Sequence, residues 1–104
     1  MPSQTYAGKN VDVDAEGFLA SPNDWSPEIA LAIAVAAGIT LTDAHWKVIN
    51  FARADFGKVG QSPGPRRLTA QTGVSTKELY QLFPKGPGKL VAKIAGVPKP
   101  KSCL

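Results

Sequence analysis

The sequence predicts a mainly α (α+β) fold: a bundle-like helical body with a small N-terminal β-hairpin, a helix-turn-helix-like corner and a flexible C-terminal arm. Three observations lead there. Residues 27–37 form an alanine-rich apolar run that follows a Ser-Pro helix start and stops at Gly38. Trp46, Ile49, Ala52 and Phe56 recur at spacings of 3, 3 and 4 residues, the period of one helix face. Val11-Asp12-Val13 alternates with period two behind Gly8. The expected organisation is one domain, 1–104, with a β unit at 1–20, a helical body at 26–96 and a mobile arm at 97–104 bearing Cys103.

In chain order, residues 5–13 read as a hairpin whose turn chemistry comes from Gly8, Lys9 and Asn10. Asp14-Ala15-Glu16-Gly17 makes a second turn into the short apolar stretch Phe18-Leu19-Ala20. Residues 21–25 are a turn, and Ser26 with Pro27 at the first helical position opens the first helix. That helix is apolar nearly all round and is expected to be central to the core. Thr42 begins a second helix, with Asp43 in its first turn and Gly57 and Gly60 marking its end. His45 at its start has no Cys, Asp or Ser placed to complete a triad or metal set, so a structural role is expected. After the loop 61–65, residues 66–72 form a short helix capped by Gly73. Ser75 caps the next, with Glu78 three residues on, and that helix stops at Pro84. Gly86-Pro87-Gly88 opens the last helix, from about 89 to 95, closed by Gly96.

Composition limits the function classes. The chain of 104 residues is 43% apolar and 19% charged, which fits a folded domain rather than a disordered segment. No apolar run is long enough for a transmembrane helix, no secretory signal is expected, and one unpaired cysteine suits a reducing cytosol; the expected location is cytoplasmic, with no membrane partner. One Cys and one His cannot assemble the usual metal sets, so no metal and no cofactor is expected. The net charge is +4, and from residue 85 onward there are five lysines and no acidic residue. That basic end suits an acidic protein face or nucleic acid, or is a solvated surface.

Two segments carry candidate chemistry. Residues 66–83 follow a DNA-reading helix-turn-helix pattern: small Ala70 lets helices approach, Gly73 turns the chain, Ser75 caps, and Arg66 and Arg67 can meet phosphates. The second helix offers only Lys77 and Gln81 as base readers and has an acid near its start, so direct nucleic-acid binding is the weaker alternative. The tail is the other segment. Its lone Cys103 has no partner for a staple, and Pro98 and Pro100 favour extended backbone. Seven residues from Gly96 give a reach of about 23–25 Å. Lys99 and Lys101 favour the thiolate and steer it, while the terminal carboxylate opposes it. A reactive carrier thiol and an incidental terminal cysteine both fit these residues.

The run Leu79-Tyr80-Gln81-Leu82-Phe83-Pro84-Lys85-Gly86-Pro87-Gly88-Lys89, then Lys93-Ile94-Ala95-Gly96-Val97-Pro98-Lys99-Pro100 and penultimate Cys103, resembles the DsrC/TusE family. The likeness extends upstream to Asp14-Ala15-Glu16-Gly17-Phe18-Leu19, Asp24-Trp25 and Leu41-Thr42-Asp43-Ala44-His45-Trp46. The resemblance implies a small cytoplasmic sulfur carrier whose penultimate cysteine, here Cys103, accepts sulfur as a persulfide and passes it on. The implied partners are an upstream sulfur-donor protein and a downstream acceptor protein, in tRNA thiolation or in sulfur oxidation and trafficking. The implied carrier is of sulfurtransferase type, with turnover belonging to the partners. Arg66 or Arg67 matches an arginine that the family places near the tail, where it would hold the thiolate. In the two-cysteine branch a second cysteine lies eleven residues before the first; this chain has Ala92 there. That departure counts against the branch's role beside dissimilatory sulfite reductase, since one thiol cannot resolve its own persulfide.

Overall fold

A computed structural model describes residues 2–84 and 86–100. Two strands open the chain, β1 (Ser3–Tyr6) and β2 (Lys9–Asp12), paired antiparallel with Gln4 opposite Val11 and Tyr6 opposite Lys9. The turn is therefore Ala7-Gly8, not Gly8 to Asn10 as the sequence suggests, and both turn residues have positive φ (54° and 78°). Register decides this: Val11 and Val13 must both face inward, and a one-residue slip would turn both to solvent. Asp14 then folds the chain back, its carboxylate accepting from the backbone N–H groups of Glu16 and Phe18 at 2.9 and 3.0 Å. This sets Leu19 opposite Val13 in a further bridge.

After a 3-10 turn at Pro22–Asp24 come five helices, α1 (Pro27–Ala36), α2 (Asp43–Val59), α3 (Pro65–Thr72), α4 (Thr76–Leu82) and α5 (Pro87–Ala95). The mainly helical α+β architecture is as the sequence predicts. The expectation that α1 is central is not met. It buries only the stripe Ile29, Ala30, Ile33 and Ala34, while Leu31 is 46% and Val35 74% exposed. The central place belongs to α5, which packs on α1, α2 and α4 and buries Val91, Ala92, Ile94 and Ala95. Alanine suits any helix position, so an alanine-rich run reports helix propensity more than depth.

Local chemistry fixes the helix ends. Ser26 and Ser75 accept from the N–H groups of Ile29 and Glu78, the standard Ser cap. At α2 the capping box is built with His45 in the position usually held by Glu. Its Nδ1 accepts from the Thr42 N–H at 3.0 Å, and its Nε2 lies 2.8 Å from the Leu82 carbonyl oxygen, which places the ring proton on Nε2. The ring also meets Phe83 edge-on at 5.1 Å. His45 thus joins the start of α2 to the end of α4, the structural role expected for it.

The end of α5 is the most constrained point. Its last carbonyls, Ile94 and Ala95, accept from the Trp25 indole N–H and the Arg53 guanidinium, each at 2.8 Å. The Arg53 guanidinium also lies 4.1 Å above the Trp25 ring. Gly96 must pass under this pair with φ of 69°, and a Cβ there would sit 2.8 Å from two Trp25 carbons. Gly96→Ala is therefore expected to cost about 3 kcal/mol or more, combining a left-handed backbone with a clash. Gly57→Ala, in the exposed helical interior of α2 with open space around it, is expected to gain about 0.5–1 kcal/mol. Urea unfolding midpoints of the two variants check both signs.

Candidate functional site

The arm expected from residue 97 starts on the body instead of leaving it. Val97 is buried, and its N–H donates to the Ala92 carbonyl at 3.0 Å. The Ser62 hydroxyl donates to the Pro98 carbonyl, and Lys99 Nζ lies 3.2 Å from a Glu16 carboxylate oxygen. Pro98 and Lys99 are otherwise exposed, and Pro100 is buried. Its seat is the close approach of α5 to α3. A Cβ on Gly88 would be 3.0 Å from the Pro65 ring and 3.8 Å from Pro100. The Lys99–Glu16 pair is half open to water and contributes at most about 1 kcal/mol, so burial at Val97 and Pro100 does most of the holding. Lys101 and Cys103 lie outside the described residues.

Arg66 and Arg67 have different roles. Arg67 forms a fork-like pair with Asp55, Nε to Oδ2 at 2.8 Å and Nη2 to Oδ1 at 2.7 Å. Asp55 is buried, and the Arg67 hydrogen bonds hold its carboxyl below the usual aspartate range; the same bonds raise the arginine. This pair ties α3 to α2 and leaves Arg67 little freedom to hold anything else. Arg66 is exposed and makes no side-chain bond among the described residues. It borders a shallow groove of about 200 Å³ with Pro65, Thr69, Thr76 and Tyr80. The first turn of α3 lies beside it. Leu68 donates the first helical bond, to Gly64, so the N–H groups of Arg66 and Arg67 lack partners within the helix. An anion brought here meets a free guanidinium and the positive end of a helix dipole.

Ala92 is 2% exposed on the inner face of α5, one helical turn beyond Gly88. The helix-turn-helix corner is present as α3, Gly73 and α4, but Arg67 is committed to Asp55 and α4 has only seven residues. Glu16, Ser62, Gly88 and Asp55 were not singled out by the sequence. For Gly88 a signal existed in the Gly-Pro-Gly run, which reads equally well as a helix start. No helix among the described residues is long and apolar enough to cross a membrane.

Comparison with known proteins agrees with this fold. The family model described as "DsrC like protein" matches residues 5–104. The sulfurtransferase TusE of Yersinia pseudotuberculosis is 41% identical, covering 95% of this chain and 98% of that protein. The protein of Nitratidesulfovibrio vulgaris named sulfite reductase, dissimilatory-type subunit gamma, is 42% identical with full coverage of both chains. Among solved structures, the NMR structure of Allochromatium vinosum DsrC superposes with a TM-score of 0.86 at 38% identity, covering 98% of this chain and 97% of that one.

The pair of buried Asp55 with the half-exposed Arg67 predicts a pH signature. A carboxyl held below its unfolded value stabilises the fold fully above about pH 4, and that contribution is lost as pH falls further, through the folded value. Asp55→Asn should therefore lower the thermal midpoint at pH 7, and the gap to wild type should narrow progressively as pH falls below about 4. Circular-dichroism melts across that range test it; a gap that stays constant would contradict the assignment.

Proposed function

Because this chain belongs to the DsrC-like family, we propose that it is a sulfur carrier whose Cys103 accepts sulfane sulfur from a donor protein and hands it to an acceptor protein. The observation that carries the reading is the extent of the family match, which runs to residue 104 and so includes the penultimate cysteine. The relatives named sulfurtransferase support the same class of chemistry.

The step is a thiol–persulfide exchange. The Cys103 thiolate attacks the outer sulfur of a donor persulfide, the sulfur–sulfur bond of the donor breaks, and the donor leaves as a thiolate. Cys103 then carries the persulfide. An acceptor thiolate attacks its outer sulfur in turn and frees Cys103. Each transfer makes one S–S bond and breaks one, so no external oxidant or reductant is consumed. With Ala92 where a second cysteine would stand, the persulfide cannot be displaced within the chain, and its release belongs to the partner. This favours a relay role over that of a two-cysteine co-substrate. Turnover therefore resides in the partner proteins, and tRNA thiolation and sulfur oxidation are both pathways such a relay serves.

The seat of residues 97–100 on the body supports a short reach for the thiol. Cys103 stands three positions beyond Pro100, so its Cα stays within about 11 Å of the Pro100 Cα. That sphere borders the α3 N-terminus and Arg66. An arriving thiolate or persulfide anion is favoured there by the free guanidinium, and Lys99 and Lys101 add positive field. Arg66 is the better candidate for this role, since Arg67 is held by Asp55. The helix-turn-helix reading is the weaker one, with one of its two phosphate-binding arginines already paired.

Incubation with a protein persulfide donor, followed by intact mass measurement, tests the proposal. The expected result is a one-sulfur adduct that reductant removes and that Cys103→Ser lacks. Arg66→Gln should slow uptake roughly fivefold, the effect of about 1 kcal/mol of lost charge stabilisation near the surface. Arg67→Gln should act mainly on stability. A wild-type chain that takes up no sulfur from any such donor would sink the reading.

A further inference from the structure

The β-hairpin and α1 carry two features that the carrier role does not use. The first is an open sheet edge. Val13 N–H donates to the Pro2 carbonyl at 2.9 Å, which makes residues 2 and 13 a hydrogen-bonded pair. Antiparallel alternation then assigns the next bonded pairs to Gln4 with Val11 and Tyr6 with Lys9. The N–H and C=O groups of Ser3 and Thr5 consequently point away from β2. The far side of β2 is already used, since the Asp12 carbonyl accepts from Ala20 and Val13 bridges to Leu19. Among the described residues, the free edge is thus that of β1. Natural edges are normally blunted by charge, proline within the strand or a bulge. Ser3-Gln4-Thr5-Tyr6 has none of these.

The second feature lies directly beside it. An open groove of about 540 Å³ is lined by Gln4 to Ala7 and by Leu31, Ala32, Val35 and Ala36 of α1. Three consecutive strand residues, Gln4 to Tyr6, and the turn residue Ala7 line it, so the strand's edge, not one of its faces, forms that wall. The other wall is the apolar outer stripe of α1, with its half-exposed Leu31 and strongly exposed Val35. All eight lining residues are uncharged, in a chain whose net charge is +4.

We propose that this edge-and-helix groove is a self-association surface, in which β1 of a second copy pairs antiparallel with β1 about a two-fold axis at Gln4. In that register Ser3 faces the partner's Thr5 and Thr5 the partner's Ser3, which satisfies the outward backbone groups of both chains. A two-fold axis normal to the sheet keeps both α1 helices on one face of the resulting four-stranded sheet. Leu31 and Val35 of each copy then cover one another across the dyad. Charge selects the occupant: two copies of a basic chain repel, and they approach at least cost where neither carries charge. An acidic or basic partner would find nothing here to recognise. The short strand and modest apolar area predict weak, concentration-dependent pairing, with Kd on the order of 10–100 µM.

Sedimentation equilibrium of the full chain under reductant, which keeps Cys103 from forming an intermolecular disulfide, tests the proposal between about 1 µM and 1 mM. The expected result is a monomer–dimer equilibrium that Val35→Glu weakens at least tenfold without changing the circular-dichroism spectrum. Amide exchange at Ser3 and Thr5 should slow as wild type is concentrated and stay unchanged in the variant. A wild type that remains monomeric to the top of the range overturns the proposal. So does a dimer that Val35→Glu leaves intact with Ser3 and Thr5 unprotected. Because neither readout involves sulfur, failure here would leave the carrier reading untouched.

Discussion

An α-helix ends with four carbonyls that its own backbone leaves without partners, and in α5 each of the four is satisfied. Val97 and Gly96 turn back to the Ala92 and Lys93 carbonyls, as a left-handed glycine cap does. Trp25 and Arg53 come from distant parts of the chain to take Ile94 and Ala95. The arrangement is tight because these groups are buried, where an unpaired carbonyl costs about 1–3 kcal/mol. It also determines direction. Gly96 has room for no side chain, so the chain leaves α5 along one path, under Trp25 and back toward Ser62 and Pro65. Burial lowers the Arg53 pKa from its ordinary value, as expected for a cation partly withdrawn from water, and the Trp25 face offsets part of that cost.

The rest of the site depends on that exit. With the path fixed, Pro100 reaches the gap that Gly88 opens between α5 and α3, and the terminal residues start from a defined point. The Asp55–Arg67 pair fixes the start of α3 against α2, and with it the position of Arg66. His45 performs a comparable task further off, tying the start of α2 to the end of α4. A carrier needs this combination of a rigid base and a short terminal reach. A thiol on a long free tether would visit many surfaces, whereas one within three residues of a buried proline visits few.

Much of the fold was legible in the sequence because helix signals are local. Ser26-Pro27, Thr42-Asp43, Ser75 with Glu78, and Pro87 before an amphipathic run each mark a helix start through the chemistry of neighbouring residues. Depth was less legible. The apolar run of α1 looks central, yet half of it faces outward, since only the packing of α5 against three neighbours decides which helix lies innermost. The hairpin turn moved to Ala7-Gly8 because inward-facing Val11 and Val13 set the register, a tertiary constraint stronger than the turn preference of Asn10. The candidate residues divide in the same way. Cys103, Ala92 and the Pro-Lys-Pro segment are read from short motifs, while the splitting of Arg66 from Arg67 follows from Asp55, twelve positions earlier, on another helix. The seat for the arm was invisible for the same reason: it is made by Gly88 and Pro65 at Pro100 and by Ser62 at Pro98, which no local pattern connects.

The central proposal is that Cys103, three positions beyond the seated Pro100, acts near the α3 N-terminus. Disulfide trapping tests it directly, since the chain holds a single cysteine and any second one defines a single intramolecular pair. A cysteine introduced at Thr69, in the groove beside Arg66, should form an intramolecular disulfide with Cys103 under mild oxidation. One introduced at Val35, on the exposed stripe of α1, should yield only intermolecular products. Equal intramolecular trapping at the two positions would mean that the arm roams freely, and would contradict the account.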